Sequence, residues 1–427
     1  MMTQKKIPVR LPVGAVMVLG FFLTILLGFL LLLMPVSQKE PVSIVDLFFV
    51  ATSAVCVTGL TPVDISQVFS VFGQTVIMFL FQVGGLGFAV IVVFVLYAVS
   101  STNFSVKNLV RESLGFSPSA KIGRILKYTL LSTLTIEFIG ALLLFLSFRK
   151  IFPLGKAIYN SVFHSISAYN NAGFDLFSTS LVSFNQNPLV LITVAVLIIL
   201  GGIGYIVYYD LLMYRKKKHL SLHSKIVFLM TGLLLVTGTV ILKLTENESW
   251  LISFFHSVSC RTAGFFASDL TLLSSPGILI MIFLMFIGAS PGSTGGGLKT
   301  TTFYSILFST TKIFRGGNTT VFNRTISKDS ITKAFGLFSL ALAIIICAFF
   351  FLTVTENASF EALLFETVSA YATVGLTVGV TPNLTLWGKI IIICVMFIGR
   401  VGAISIITSI SYNHTEIKYP DERVCIG

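Results

Sequence analysis

The sequence predicts an all-α polytopic membrane protein, with four pseudo-symmetric helix–pore loop–helix repeats around one central pore. Three observations carry that prediction. Of the 427 residues, 55% are hydrophobic and only 11% charged, whereas a soluble surface needs about a quarter of its residues charged. The apolar residues fall in runs such as 11–35, 72–99, 188–209 and 390–410, and about 20 residues suffice to cross a hydrocarbon layer of roughly 30 Å. Finally, one glycine-containing segment is written four times along the chain.

The elements follow in order. Lys5, Lys6 and Arg10 precede the first apolar run, which ends in Leu-Met-Pro without a small-residue cleavage site; it reads as a retained span rather than a signal peptide. First spans are expected at 12–34, 122–148, 224–244 and 331–354, and second spans at 71–99, 188–213, 275–310 and 386–410. Between each pair lies an amphipathic stretch, such as 42–55 or 159–169, too short to cross and therefore re-entrant. These divide the chain into repeats at 1–105, 106–218, 219–325, which holds an intramembrane gate loop, and 326–427, which ends in a cytoplasmic tail.

The four copies align on Gly59, Gly173, Gly264 and Gly375. Phe49, Phe163, Phe254 and Phe365 stand ten positions earlier, and Ser53, Ser167, Val258 and Ser369 six positions earlier. Repetition at this level is an architectural signal.

Charge orients the spans. The net charge is +12, and its basic residues gather in alternate connections. These hold Lys107, Arg111, Lys121, Arg124 and Lys127, then Arg215–Lys218 with Lys225, then Lys312, Arg315, Arg324, Lys328 and Lys333. The opposite connections carry Asp46, Asp64, Glu246, Glu248, Glu356 and Glu361, with Arg149, Lys150 and Lys156 as a local exception. The positive-inside rule then places both termini in the cytoplasm of a cell membrane. A nucleic-acid surface would need stacking or base-reading groups in a compact basic patch, and none is present.

The chemistry concentrates where the short helices end. Each stops before an irregular tripeptide: Val57-Thr58-Gly59, Asn171-Ala172-Gly173, Thr262-Ala263-Gly264 and Thr373-Val374-Gly375. Non-helical backbone at membrane depth is tolerated only around a pore or inside protein. A potassium ion crossing a membrane exchanges its water for oxygens of similar strength, which rings of backbone carbonyls supply. Glycine permits the backbone angles that such a ring needs, and short helices aim their negative C-terminal ends at it. Close packing is the alternative role for any one glycine; four in register favour a selectivity filter that binds potassium through backbone carbonyls.

A second glycine series, Gly84-Gly85-Leu-Gly87, Gly201-Gly202-Ile-Gly204, Gly288 and Gly399, suits close approach or bending in the second spans. The third repeat departs from the rest, with Gly288-Ala289-Ser290-Pro291-Gly292-Ser293-Thr294-Gly295-Gly296-Gly297 inside its second span. No continuous helix survives such a run, so it reads as a gate beneath the filter, with a rigid packing break as the alternative. Arg400 lies near the middle of the last span, where a charge faces a cavity or a partner. It would lower cation occupancy below the filter or pair near the gate loop.

Other reactive residues do not converge. Cys56, Cys260, Cys347, Cys394 and Cys425 form no metal or redox motif. His164 and His256 sit in the short-helix patterns, and Glu137, Asp210 and Glu366 are isolated, which suits packing hydrogen bonds rather than catalysis. No enzyme activity is expected.

The sequence resembles the Trk/Ktr/HKT superfamily of cation transporters, most closely the membrane subunit of bacterial Ktr potassium uptake systems. The resemblance covers essentially the whole chain and rests on the four tripeptides with their following Leu or Phe, on Gln82-Val-Gly-Gly-Leu-Gly87, on 288–297 and on Phe397-Ile-Gly-Arg400. It implies a pseudo-fourfold monomer with one pore, paired as a homodimer. The four glycines become filter residues, 288–297 the gate, and Arg400 a contributor to closure. It also implies a cytosolic ring of nucleotide-binding regulatory subunits that bind ATP or ADP, with sodium as an activator. In that family serine in place of the first filter glycine goes with sodium selectivity, so Gly59 matches the potassium pattern. The chain has no phosphate-binding loop of its own. The alternatives are a less selective sodium/potassium transporter and a non-transporting membrane scaffold.

Overall fold

The computed structural model describes residues 13–87, 122–314 and 319–402. Outside the described residues lie the expected ends of two second spans (88–99 and 403–410), Lys107, Arg111, Lys121, Arg315, the boundary at 105/106 and the tail with Cys425.

Each repeat is a long helix, a short helix and a second helix. The first repeat holds α1 (Val13–Leu33), α2 (Ile44–Cys56) and α3 (Val71–Leu86). The second holds α4 (Ile122–Phe148), α5 (Leu154–Tyr169), α6 (Pro188–Ile203) and α7 (Tyr205–Lys217). The third holds α8 (Leu222–Thr245), α9 (Trp250–Ser259), α10 (Ser275–Phe286) and α11 (Thr300–Phe314). The fourth holds α12 (Lys328–Thr355), α13 (Phe360–Tyr371) and α14 (Leu386–Val401). A two-residue hairpin, Thr320–Val321 with Arg324–Thr325, precedes α12.

Among the described residues, α1, α8 and α12 and the Tyr128–Phe148 part of α4 are long and apolar enough to cross a membrane. They show large apolar side chains outward: Leu27, Phe138, Leu244 and Phe350 are all exposed, as lipid-facing residues must be. The starts of α8 and α12 and of three of the short helices are fixed by side-chain caps. Ser43, Ser249 and Ser359 accept from the N–H groups of Asp46, Ile252 and Ala362, satisfying donors the helix leaves free. The second short helix instead begins after Pro153. It starts at Leu154, five residues ahead of the expected 159.

The second helices do not run straight through. α3, α6 and α14 end at Gly87, Gly204 and Gly402, with φ of 81°, 92° and 85°, a conformation glycine adopts without steric cost. At Gly204 the chain turns by 87° between α6 and α7, so the expected single span at 188–213 is two helices. In the third repeat the break runs from Ile287 to Lys299, between α10 and α11.

The core is built on one phenylalanine from each short helix. Phe49, Phe163, Phe255 and Phe365 are fully buried. This corrects the alignment of the third copy, where Phe254 is only partly buried. The serine column shifts in step. Thr58, Ala172 and Val374 donate backbone N–H groups to the carbonyls of Ser53, Ser167 and Ser369, whereas Ala263 donates to Ser259 (2.9 Å). Ser259, not Val258, is therefore the fourth serine, and the third copy is one residue shorter between its serine and its glycine.

Candidate functional site

Each tripeptide leaves its helix by a left-handed residue: Val57, Asn171, Thr262 and Thr373 have φ of 56°, 57°, 75° and 51°. Such angles cost a non-glycine residue about 1–3 kcal/mol and persist where surrounding contacts enforce them. Here the helix-end serines do so. The Oγ atoms of Ser53 and Ser369 accept from Gly59 N and Gly375 N (both 3.1 Å). Those of Ser167 and Ser259 donate onward to the carbonyls of Phe174 and Phe265. One helical turn earlier a second polar column ties down the outgoing chain. His164 and His256 accept through Nε2 from Leu176 N (3.3 Å) and Ala267 N (3.2 Å), and Glu366 accepts from Thr377 (2.7 Å) and Thr381. These are the packing hydrogen bonds expected of His164, His256 and Glu366.

The four glycines close a ring. A Cβ on Gly59 would stand 2.6 Å from the Ala172 carbonyl oxygen, one on Gly173 2.8 Å from that of Ala263, one on Gly264 2.6 Å from that of Val374, and one on Gly375 2.0 Å from that of Thr58. Every glycine thus touches the middle residue of the next repeat, in the cyclic order one, two, three, four, one. All four also have positive φ, between 71° and 96°. No side chain fits on the inner lining.

The second glycine series supports the ring from outside. Cβ atoms on Gly84, Gly201 and Gly399 would collide with the carbonyl oxygens of Val55, Tyr169 and Tyr371 at 2.1, 1.8 and 2.0 Å, so α3, α6 and α14 press directly on the ends of α2, α5 and α13. A cavity of about 60 Å³ between the first two repeats is lined by Gly59, Gly173, Asp64 and Asp175 among others. Burial, with the nearby charge of Asp64 as a smaller cause, pushes the Asp175 carboxyl up to about 6.

The run 288–297 folds as a loop directly under the ring, its neck closed where Ile287 pairs with Leu298. Gly288 packs against the Gly296 carbonyl, Ala289 N–H donates to the same oxygen (3.4 Å), and Ser293 Oγ donates to the Ser290 carbonyl (2.6 Å). The loop docks on the helix break of the second repeat: Ser290 N–H donates to Gly202 O (3.1 Å), Tyr205 N–H donates to Gly292 O (2.8 Å), and Gly204 abuts Pro291 O. Its upper side meets three tripeptides. Thr294 Oγ1 donates to Asn171 Oδ1 (3.3 Å), Gly295 abuts Thr262 Oγ1, Gly296 abuts Thr373 Oγ1, and Gly297 lies against Ala372.

Two cations hold this loop. Arg400 donates to the carbonyls of Thr294 and Gly84, joining the fourth repeat to the third and the first. Lys299 Nζ donates to Gly295 O (2.7 Å) and Gly296 O (3.3 Å). Three consecutive loop carbonyls are therefore occupied by charged donors, the stronger class of hydrogen bond. Sequence reasoning singled out Arg400 and passed over Lys299. The signal was present, since one lysine inside the apolar span 275–310 is an intramembrane charge.

Comparison with known proteins shows the family and the fold. Residues 2–419 match the family model described as "TrkH: Cation transport protein". The chain is 37% identical over 447 residues to the potassium/sodium uptake protein NtpJ of Enterococcus hirae, covering 99% of each chain. It is 39% identical to the Ktr system potassium uptake protein B of Bacillus subtilis, covering 98% of each. With that of Vibrio alginolyticus it shares 40% identity, covering 96% of this chain and 94% of the relative. In fold it is similar to the crystal structure of the potassium transporter TrkH from Vibrio parahaemolyticus, with a TM-score of 0.76 at 16% identity over 96% of this chain and 87% of that one. The chain belongs to the TrkH family of cation transport proteins and is a multi-pass membrane protein.

Proposed function

We propose that this protein conducts potassium ions into the cell, down their electrochemical gradient, through the ring of Gly59, Gly173, Gly264 and Gly375. The observation that carries the reading is the cyclic contact of each glycine with the next repeat's middle carbonyl. A ring of neutral carbonyl oxygens on one axis replaces an ion's hydration shell without a net charge to trap it. The filter comprises Val57–Gly59, Asn171–Gly173, Thr262–Gly264 and Thr373–Gly375. The buried hydroxyls of Thr58 and Thr373, which have no hydrogen-bond partner among the described residues, add oxygens beside it. The names of the Ktr relatives support potassium as the substrate.

In the same reading 288–297 is the gate, with Arg400 and Lys299 holding it shut across the axis. The four repeats divide at 105/106, 218/219 and 325/326. Both termini are cytoplasmic, and the protein acts as a homodimer on a cytosolic ring of nucleotide-binding subunits that take ATP or ADP, with sodium as an activator. Basic cytoplasmic connections such as Arg215–Lys218 supply a face for that ring.

Potassium flux into liposomes holding the purified protein, with sodium as competitor, tests the reading. Strong preference for potassium is expected, with Gly173→Ser lowering it about tenfold. Equal flux of both ions would favour the second reading, a sodium/potassium pathway, which the name of the NtpJ relative supports. Unaltered flux and selectivity in Gly173→Ser would defeat the filter assignment.

A further inference from the structure

A buried polar cluster behind the second filter segment joins the first two repeats. Glu137, on α4, is only 5% exposed. Its Oε1 accepts from Asn170 Nδ2 (3.1 Å) and its Oε2 from Gln82 Nε2 (3.3 Å), while Asn170 Nδ2 also donates to Gln82 Oε1 (2.6 Å). Gln82 lies on α3 of the first repeat, and Asn170 is the residue immediately before the left-handed Asn171. The carboxylate therefore clasps the second repeat's filter segment to the helix of its neighbour. Its own backbone is fixed by the same short helix, since Ser165 Oγ donates to the Glu137 carbonyl (2.6 Å). The close approach depends on Gly140, where a Cβ would stand 2.6 Å from Ser165 Oγ.

The arrangement has an energetic cost and is not repeated. A carboxylate only accepts, so both amides turn their NH₂ groups toward it. Asn170 Oδ1 is then left without a partner, facing Gly85, where a Cβ would lie 2.1 Å away. A buried acceptor left in this way is unfavourable, as is an ionisable side chain at this depth. The residues before the other three tripeptides are Cys56, Arg261 and Ala372, none an amide. Among the described residues, the second quadrant alone carries an amide–carboxylate clasp at this position.

We infer that Glu137 is a positioning residue for ion discrimination, holding through Asn170 the angle at which 171–173 presents its carbonyls to the axis. The inference rests on the reading of the glycine ring as the filter. Its test is the potassium-to-sodium permeability ratio of the full-length protein in liposomes. Glu137→Gln keeps the volume but sets an NH₂ group against one of the two amide donors, and the ratio is expected to fall about tenfold. The double variant Gln82→Glu/Glu137→Gln returns one carboxylate to the cluster and is expected to recover the ratio to within about threefold of the parent. Loss of bulk packing alone would give no such recovery.

A parental ratio in Glu137→Gln overturns the inference, as does an equal fall in the single and double variants. If Glu137→Gln does not assemble, Asn170→Ala removes the clasp from the other side with the same expectation, and a parental ratio there overturns it too. Gly173→Ser separates the two readings. If it lowers the ratio while Glu137→Gln does not, only the inference fails; if neither lowers it, the filter reading fails.

Discussion

At the scale of single residues, the proposed filter rests on the absence of four methyl groups. A Cβ on Gly375 would stand 2.0 Å from the Thr58 carbonyl oxygen, so even alanine must displace the neighbouring quadrant. The loop beneath depends on two side chains. Replacing Lys299 by Met keeps the apolar stem but frees the carbonyls of Gly295 and Gly296. Potassium flux through the closed protein should rise about tenfold, because a hydrogen bond from a charged donor contributes about 1.5–3 kcal/mol. Stopped-flow flux assays on the variant and parent check this, and unchanged flux would remove Lys299 from the gate.

Asp175, beside Gly173 in the cavity between the first two repeats, should give a pH dependence. Its carboxyl is raised to about 6 by burial and, secondarily, by the charge of Asp64. It is therefore ionised at pH 7.5 and neutral once the pH falls well below 6. The cavity then loses one of its negative charges, and the apparent KM for potassium should rise about threefold between pH 7.5 and 5. Asp175→Asn should hold KM near the acidic value at both pH values; a full pH response in that variant would assign the effect elsewhere.

At the scale of elements, the third repeat is the odd member. Its loop occupies the stretch where the other second helices press on a short-helix end, and if it is the gate, shortening 288–297 should raise flux and weaken control by the proposed regulatory ring. Flux measured with and without that ring decides the point, and no change in either state would count against the gate.

The elements also show what the sequence could reveal. The four tripeptides, the first spans and the helix break at 288–297 were legible, because glycine spacing and apolar length report backbone demands directly. The one-residue shortening of the third copy was not. Phe254 and Phe255 are adjacent, so counting back from Gly264 meets a phenylalanine either way, and only burial tells them apart. The second glycine series allowed for bending at Gly204 but did not decide between that and close packing, because the apolar run continues across it; the docking of Pro291 and Gly292 fixes the bend. The Glu137 clasp was invisible for another reason. Its three members come from three separate segments, and no local pattern links them.

At the scale of the whole molecule, a fourfold arrangement of one chain must join its last repeat to its first. Lys389 on α14 pairs with Asp46 on α2 (2.6 Å), and Arg400 reaches Gly84 O on α3. The first contact is mostly shielded from solvent, its two side chains 17% and 13% exposed. Asp46→Asn should lower stability by about 1 kcal/mol, and Lys389→Met should add little in the double variant, since the two act as one pair. Thermal unfolding in detergent, read by size-exclusion chromatography, measures this; additive losses would show that the residues do not act together.

The central claim, that ions pass through the glycine ring, is tested most directly by locating an electron-dense potassium substitute. Anomalous diffraction from crystals grown in rubidium or thallium should place the strongest cation peak on the axis. That peak should lie among the backbone carbonyls of residues 57–59, 171–173, 262–264 and 373–375. A peak elsewhere, with none inside the ring, would contradict the account.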